Sequence, residues 1–390
     1  MRVLLVSPLP GIDPACGDVV YTQTLLAYPP EGVVYETYAD ALKRGALVEH
    51  GRRNRFRKEP FLTLFCKLIN IARSRHWLFW EPFRIFSVRP GEYDLIHIHV
   101  FSAGFRNPDC PLVISNAAPQ RFLYTEARGW SQLRTGIVEY IEIFLARGLR
   151  INHVSYRIPQ AARVVAFTDF LRRWYTRNRI APENRVDVVP IYLPLAPVES
   201  ELKQRPSVVG FIAKDFYAKG GDTLLAAFEI VRNARSDAKL LIVGCRPQLK
   251  EPELSRRAIT WLPYVAREKL LTEIIPSFDV FAYPTRFDGM PLVVLEAMAA
   301  GVPVATSDYQ AMPEIVGAAG LVSPTGDAPG LAKNILSILE PDANPRLRNA
   351  AAARFRNAFS TKSVAPLLYR TYRQATGTRT NPQAAKPQGR

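Results

Sequence analysis

Cysteine is scarce in this chain. Its four residues, Cys16, Cys66, Cys110 and Cys245, stand far apart with no C-x-x-C pair, so neither a disulfide framework nor a structural zinc site is indicated. No apolar run reaches the roughly 20 residues needed to cross a bilayer. The opening MRVLLVSPLP lacks the layout of a signal peptide. The expectation is a chain that folds from residue 1 in the cytoplasm. No G-x-G-x-x-G is present, which argues against a dinucleotide oxidoreductase, and no internal repeat appears at a solenoid period. A D-x-D triplet is also missing.

What is present is a globular composition, with 48% hydrophobic and 22% charged residues over 390 positions. That length suits two domains better than one. The net charge of +16 is unevenly placed. Residues 43–89 hold 12 Lys/Arg against three Asp/Glu, and residues 345–390 hold 10 Lys/Arg and no acid. The rest is close to neutral, so two basic zones sit on a near-neutral body.

Along the chain, VLLVSP (3–8) reads as a buried first strand, followed by the loop LPGIDPACG and a helix DVVYTQTLLAY with Asp18 as its N-cap. Strand, glycine loop and helix is how a nucleotide-binding α/β domain begins. DLIHIHV (94–100) and PLVISNA (111–117) are further strands, RVVAFTDFLRRWYTR (163–177) is a strand running into a helix, and the proline-bearing 187–197 suits a linker. A second α/β cycle opens with SVVGFIA (207–213) and continues through KLLIVG, FDVFAYPT, PLVVLEAMAAG, PVATSD and GLVSPTGD. The expected organisation is an N-terminal domain over 1–197, a C-terminal domain over 206–360, a helix over 361–375, and a disordered basic tail over 376–390. The basic residues after 345 are expected to be solvated.

The chemistry concentrates in residues 287–317. Asp288 and Glu296 stand eight apart, with Gly289 between them and a helix expected to begin near Pro291. Glycine followed by proline at a helix start leaves the backbone N–H groups of Met290 and Leu292 free. Such groups form an anion site suited to a diphosphate. Glu296 is placed to accept hydrogen bonds from a ribose diol, and Asp288 to hold sugar hydroxyls. Upstream, GFIAKDFYAKGG (210–221) puts Lys214 and Lys219 five apart on one loop. Two cations there offset the charge that develops on a leaving diphosphate. With no D-x-D, lysines and a helix N-terminus stand in for a metal. Taken alone, Glu296 is equally a cap or salt-bridge partner, and each lysine is more often a solvated surface group; their shared context favours the ligand roles.

These residues carry a family resemblance. The stretch 207–340 resembles the C-terminal domain of the family-4 retaining glycosyltransferases of the GT-B fold. That family shows a Gly-Arg…Lys-Gly loop, a motif reading like EGMPxVVLEAMAxG, then PEIV and a G-x-LV-x-P-x-D turn. Here they read IAKDFYAKGG, DGMPLVVLEAMAAG, MPEIVG and GLVSPTGD. Asp288 stands where the family has its first Glu, and Lys214 where it has Arg. In the N-terminal half, CGD (16–18) stands for the glycine-rich loop, offering Gly17 and Asp18. DLIHIH supplies His97 and His99 for the family's D-x-x-H-x-H strand. Where the family carries an active-site His after the next strand, this chain reads ISNAAPQ, with Asn116. His99, nearer the strand's C-terminal end, is the better functional candidate of the pair, the other being packed. The resemblance implies two Rossmann-like domains, the last helix returning to the first of them, a nucleoside-diphosphate sugar as co-substrate, and no metal or other cofactor.

The zone 43–89 pairs RRNRFRK with a Trp- and Phe-bearing stretch, a combination suited to an anionic membrane surface. It implies a peripheral enzyme on the inner face of the cell membrane, with a lipid-linked or glycan acceptor; the alternative is a helix packed on the domain with its charges solvated. Two other functional readings compete. A non-transferring sugar-nucleotide epimerase of the same fold has only His99 and Asp288 as acid/base groups. A nucleic-acid binder leaves the 288–314 constellation unexplained and shows no binding module; nucleic acid is not an expected partner.

Overall fold

The computed structural model describes residues 1–7, 17–49, 84–99, 103–105, 108–116, 125, 131, 133–138, 140–141, 161–197, 207–247 and 249–377. By its contacts the chain divides into two compact units. One comprises Met1–Ala166, Arg172–Val188 and the chain from Pro366, and the other Phe167–Leu171 and Val189–Ala365.

The first unit is built on a six-stranded sheet. Its strands are β1 (Arg2–Val6), β2 (Val34–Thr37), β5 (Leu95–His99), β7 (Leu112–Ser115), β8 (Arg163–Ala166) and β9 (Val186–Val188), in the order β2-β1-β5-β7-β8-β9. Every pairing is parallel. Val3, Leu4, Val6, Leu95, Ile96, Val113, Val164 and Val165 are buried, as expected of strands covered on both faces. A small sheet of β3 (Leu47–Glu49), β4 (Arg84–Val88) and β6 (Ala103–Phe105) stands beside it. The first helix runs Gly17–Ala27, so Asp18 lies in its first turn and is not its N-cap. The expected linker over 187–197 begins inside β9, because Val186–Val188 pairs with β8.

Within the basic zone, the described residues are structural. The helix Tyr38–Arg44 is capped by Thr37, whose side chain accepts from the Asp40 N–H, and stopped by Gly45 at φ 75°. Arg44 meets Glu36 at 3.0 Å and Glu92 at 2.9 Å, which ties it to its own domain. Residues 50–83, the core of the expected membrane contact, lie outside the described residues.

The second unit carries β10 (Val208–Ala213), β11 (Lys239–Gly244), β12 (Ile259–Leu262), β13 (Val280–Tyr283), β14 (Val304–Ser307) and β15 (Gly320–Ser323). Their order is β12-β11-β10-β13-β14-β15, all parallel. By sequence rank this is 3-2-1-4-5-6, the doubly wound order whose ligand crevice opens between the first and fourth strands at their C-terminal ends. Here those strands are β10 and β13. Gly210 is required in β10 because a Cβ would sit 2.3 Å from the Phe278 ring.

The basic residues after 345 are not all solvated. Arg348 is fully buried; it reaches the Asp279 carboxylate at 3.1 Å, the Phe278 carbonyl at 2.7 Å and Asn344 Oδ1 at 2.8 Å. The last helix spans Thr361–Gly377, two residues past its expected end. The expected tail thus loses Thr376 and Gly377 to the helix, and its remainder, 378–390, lies outside the described residues. From Pro366 onward the helix belongs to the first unit.

Candidate active site

In the second unit, the loop after β10 is a tight turn held by its own backbone. Asp215 Oδ1 accepts from the Ala218 N–H at 3.0 Å, and the N–H groups of Lys219, Gly220 and Gly221 return to the carbonyls of Asp215, Tyr217 and Phe216. Gly220 takes φ 75°, and a Cβ there would lie 1.9 Å from the Pro284 carbonyl oxygen. Only glycine lets this loop press so closely on the end of β13. Arg286 clamps the loops after β10 and β13 together, donating to Asp222, to Thr223 and to the Tyr217 carbonyl.

That turn delivers Lys219 to Asp288. Lys219 Nζ donates to Asp288 Oδ2 at 2.6 Å and to the Phe287 carbonyl at 2.6 Å. Tyr283 donates to the same carboxylate oxygen at 2.7 Å. Burial, reinforced by the Asp288 charge, holds the Tyr283 phenol well above its usual range, so it remains a donor. Lys219 and Asp288, at 21% and 18% exposure, form a pair that can reach a ligand without being fully solvated. Lys214 is exposed on the same loop.

The helix after β13 runs Leu292–Ala299, with Pro291 at its N-cap position and not at its first helical position. Gly289 lies on the turn before it, and among the described residues the N–H groups of Met290 and Leu292 donate no backbone hydrogen bond outside the helices and strands, as expected of the first N–H groups of a helix. Glu296 lies in the second turn. Its side chain is 3% exposed, with Arg267 Nη2 2.6 Å from Oε1. A carboxylate has about four lone-pair sites, so this single contact leaves acceptor capacity over. Burial raises the Glu296 carboxyl above its ordinary value, with the Arg267 charge acting against it. Lys219 and Asp288 are therefore brought together, while Glu296 is held separately by Arg267.

In the first unit, His97 and His99 both prove fully buried. The two-residue strand period puts them on one face of β5, and Ser115 Oγ lies 2.8 Å from His97 Nε2 and 2.8 Å from His99 Nδ1. His99 Nε2 lies 3.4 Å from Asp18 Oδ1. His97 is not merely packed: its Nδ1 lies 2.6 Å from the Tyr372 hydroxyl. Asn116, half-buried, follows Ser115 at the end of β7, and Gly17 opens the helix that carries Asp18. Sequence reasoning missed Tyr283, Arg267, Arg286, Ser115 and Tyr372. Only Tyr283 left a local signal, five residues before Asp288 at the end of an apolar strand. Among the described residues, no group of three or more His, Cys, Asp and Glu is arranged to hold a metal ion.

Two doubly wound parallel sheets, each with its polar side chains at the C-terminal ends of the central strands, are those of the GT-B fold. Solved structures agree. The sucrose-phosphate synthase of Thermosynechococcus elongatus matches 96% of this chain and 99% of its own at 18% identity, TM-score 0.62. Anabaena HepE, solved with UDP and glucose, matches 95% and 99% at 14% identity, TM-score 0.59. Residues 206–341 match the family described as glycosyl transferases group 1, so that segment is similar to this family. Among curated proteins it is similar to O-antigen chain mannosyltransferase B of Escherichia coli, 32% identical over 158 residues, 38% of this chain. It also resembles the phosphatidyl-myo-inositol mannosyltransferase of Mycolicibacterium smegmatis, 25% identical over 300 residues, 74% of this chain. The matched segments span 41% of the first relative and 73% of the second.

Proposed function

We propose that the protein is a retaining glycosyltransferase that moves a sugar from a nucleoside diphosphate to a hydroxyl of a lipid-linked or cell-envelope glycan. The observation that carries this reading is the polar cluster at the C-terminal ends of β10 and β13, where the loops converge on Lys219, Asp288 and the start of the helix at Leu292. The base is uridine or guanosine, with uridine favoured; HepE was solved with UDP. The mannosyltransferase names of two relatives make mannose a first sugar to try.

In this reading Glu296 accepts the ribose hydroxyls through the lone pairs that Arg267 leaves open. Asp288 orients hydroxyls of the transferred sugar, and Gly289, Met290, Pro291 and Leu292 shape the diphosphate cradle. Lys219 and Lys214 face the charge that grows as the bond from the anomeric carbon to the phosphate oxygen breaks. The acceptor oxygen bonds to the anomeric carbon from the face the diphosphate leaves, and its proton passes to the departing phosphate oxygen. Configuration is retained, and no protein nucleophile or divalent cation takes part. Gly17, Asp18, His99 and Asn116 form the acceptor side. No helix among the described residues is long and apolar enough to cross a membrane; attachment to an anionic inner surface through 43–89 belongs to this proposal.

The test is a panel of UDP- and GDP-sugars in EDTA, followed for slow hydrolysis without acceptor. Release of nucleoside diphosphate from one donor is the expected result. Turnover only on adding Mg²⁺ or Mn²⁺ would overturn the metal-free mechanism, and no turnover or binding with any donor would overturn the transferase.

A further inference from the structure

The first unit contains a continuous buried chain of polar groups. Tyr35, on β2, has its hydroxyl 2.8 Å from that of Tyr372 on the last helix. From Tyr372 the chain runs to His97 Nδ1 at 2.6 Å, from His97 Nε2 to Ser115 Oγ at 2.8 Å, and from Ser115 Oγ to His99 Nδ1 at 2.8 Å. His99 Nε2 then lies 3.4 Å from Asp18 Oδ1. Three strands and two helices contribute; at its two ends Tyr35 is half-buried and Asp18 is 31% exposed.

The protons in such a chain cannot be placed independently. Ser115 carries one hydrogen and two lone pairs between two ring nitrogens, so it either donates to one and accepts from the other or accepts from both. Burial, with the neighbouring His99 adding to it, pushes His97 down to about 3. Its ring is therefore neutral, with one donor nitrogen and one acceptor. Three arrangements remain. In the first, Tyr372 donates to His97 Nδ1, His97 Nε2–H to Ser115, Ser115 to His99 Nδ1, and His99 Nε2–H faces Asp18. In the second every bond reverses, and in the third Ser115 accepts from both rings; in either, His99 turns a lone pair toward the Asp18 carboxylate or becomes a cation. A lone pair facing a carboxylate is repulsive. A cation in a fully buried ring would draw its carboxylate to the 2.7–2.9 Å of a charge-assisted bond, yet the gap is 3.4 Å. The groups around the ring include the Tyr21 ring edge at 4.7 Å, Ser115, Asp18 and, through Ser115, His97.

We infer that Tyr372, His97 and Ser115 are positioning residues, which lock His99 with its proton on Nε2 and thereby orient Asp18 as the substrate-facing carboxylate of the N-terminal unit. The last helix is thus part of that unit's site, through a hydroxyl rather than through packing alone. Only the substrate-facing role of Asp18 and His99 rests on the glycosyltransferase reading; the proton arrangement does not.

The experiment uses the full-length chain labelled with ¹⁵N in its five histidines, with long-range ¹H–¹⁵N spectra at pH 7 assigned by substituting each histidine in turn. His97 and His99 are both expected as neutral Nε2–H tautomers. Ser115→Ala should release His99 into a mixture of tautomers, and Tyr372→Phe should do so for His97. An Nδ1–H or doubly protonated ring for either residue in the wild type would overturn the inference, a result that needs no variant to fold and no donor to be known. With the donor in hand, Tyr372→Phe should lower kcat while leaving the donor KM unchanged. An unchanged kcat alongside the expected tautomers would remove the catalytic half and leave the glycosyltransferase reading standing.

Discussion

Lys219→Met offers the sharpest test of the donor-loop geometry. The substitution removes a cation that donates at 2.6 Å to both Asp288 and the Phe287 carbonyl. Breaking one partner of a buried ion pair costs about 3–5 kcal/mol, whereas an exposed pair is worth about 0.2–1 kcal/mol. With both side chains roughly four-fifths shielded and Tyr283 still donating to Asp288, the expected loss is about 2–3 kcal/mol. Asp288→Asn should cost a similar amount, since it strands the ammonium against a single carbonyl. The double variant should be little worse than either single one, giving a coupling of about 2–3 kcal/mol. Urea denaturation of the wild type and the three variants measures this. Singles that add within about 0.5 kcal/mol would show that the pair is not formed in solution, and the account of the loop would fail with it.

Three further outcomes follow from other parts of the structure. Gly220→Ala forces a Cβ onto the Pro284 carbonyl at φ 75°. It should lower stability by more than the roughly 1–2 kcal/mol of left-handed strain alone, and a thermal midpoint within a degree of wild type would refute the close approach. Arg348→Met strands the buried Asp279 carboxylate and should cost about 3–5 kcal/mol in denaturant titration; a loss under about 1 kcal/mol would show the pair behaves as an exposed one. In sedimentation with anionic and neutral vesicles, the chain should bind the anionic ones in a salt-reversible manner through 43–89. Equal and negligible binding to both would leave a soluble acceptor as the better reading.

Much of the second unit was legible because its strands are short apolar runs with glycine or proline at their ends, and because a parallel sheet buries both faces. The loops carrying Lys219 and Asp288 stood out for the same reason: they interrupt that pattern at fixed positions. The partners were hidden. Arg267 stands 29 residues before Glu296, and nothing in the REK segment distinguishes it from a surface arginine. Tyr372 lies 275 residues from His97, and a tyrosine on an amphipathic helix reads as ordinary core. The small sheet of β3, β4 and β6 escaped notice because three-residue edge strands leave no periodicity to count. Arg348 was misread because a basic run usually means a solvated face, whereas Asp279, its counter-charge, sits on a different element.

In the proposed function the C-terminal unit binds a nucleoside-diphosphate sugar through Glu296. Steady-state kinetics on Glu296→Ala, with a donor that the wild type hydrolyses, test it most directly. The expected result is a strongly raised donor KM and nearly abolished turnover, because the ribose loses a charge-assisted contact while Arg267 is left without its carboxylate. Near-native activity in a variant that remains folded would make Glu296 a structural residue and contradict the assignment of the site.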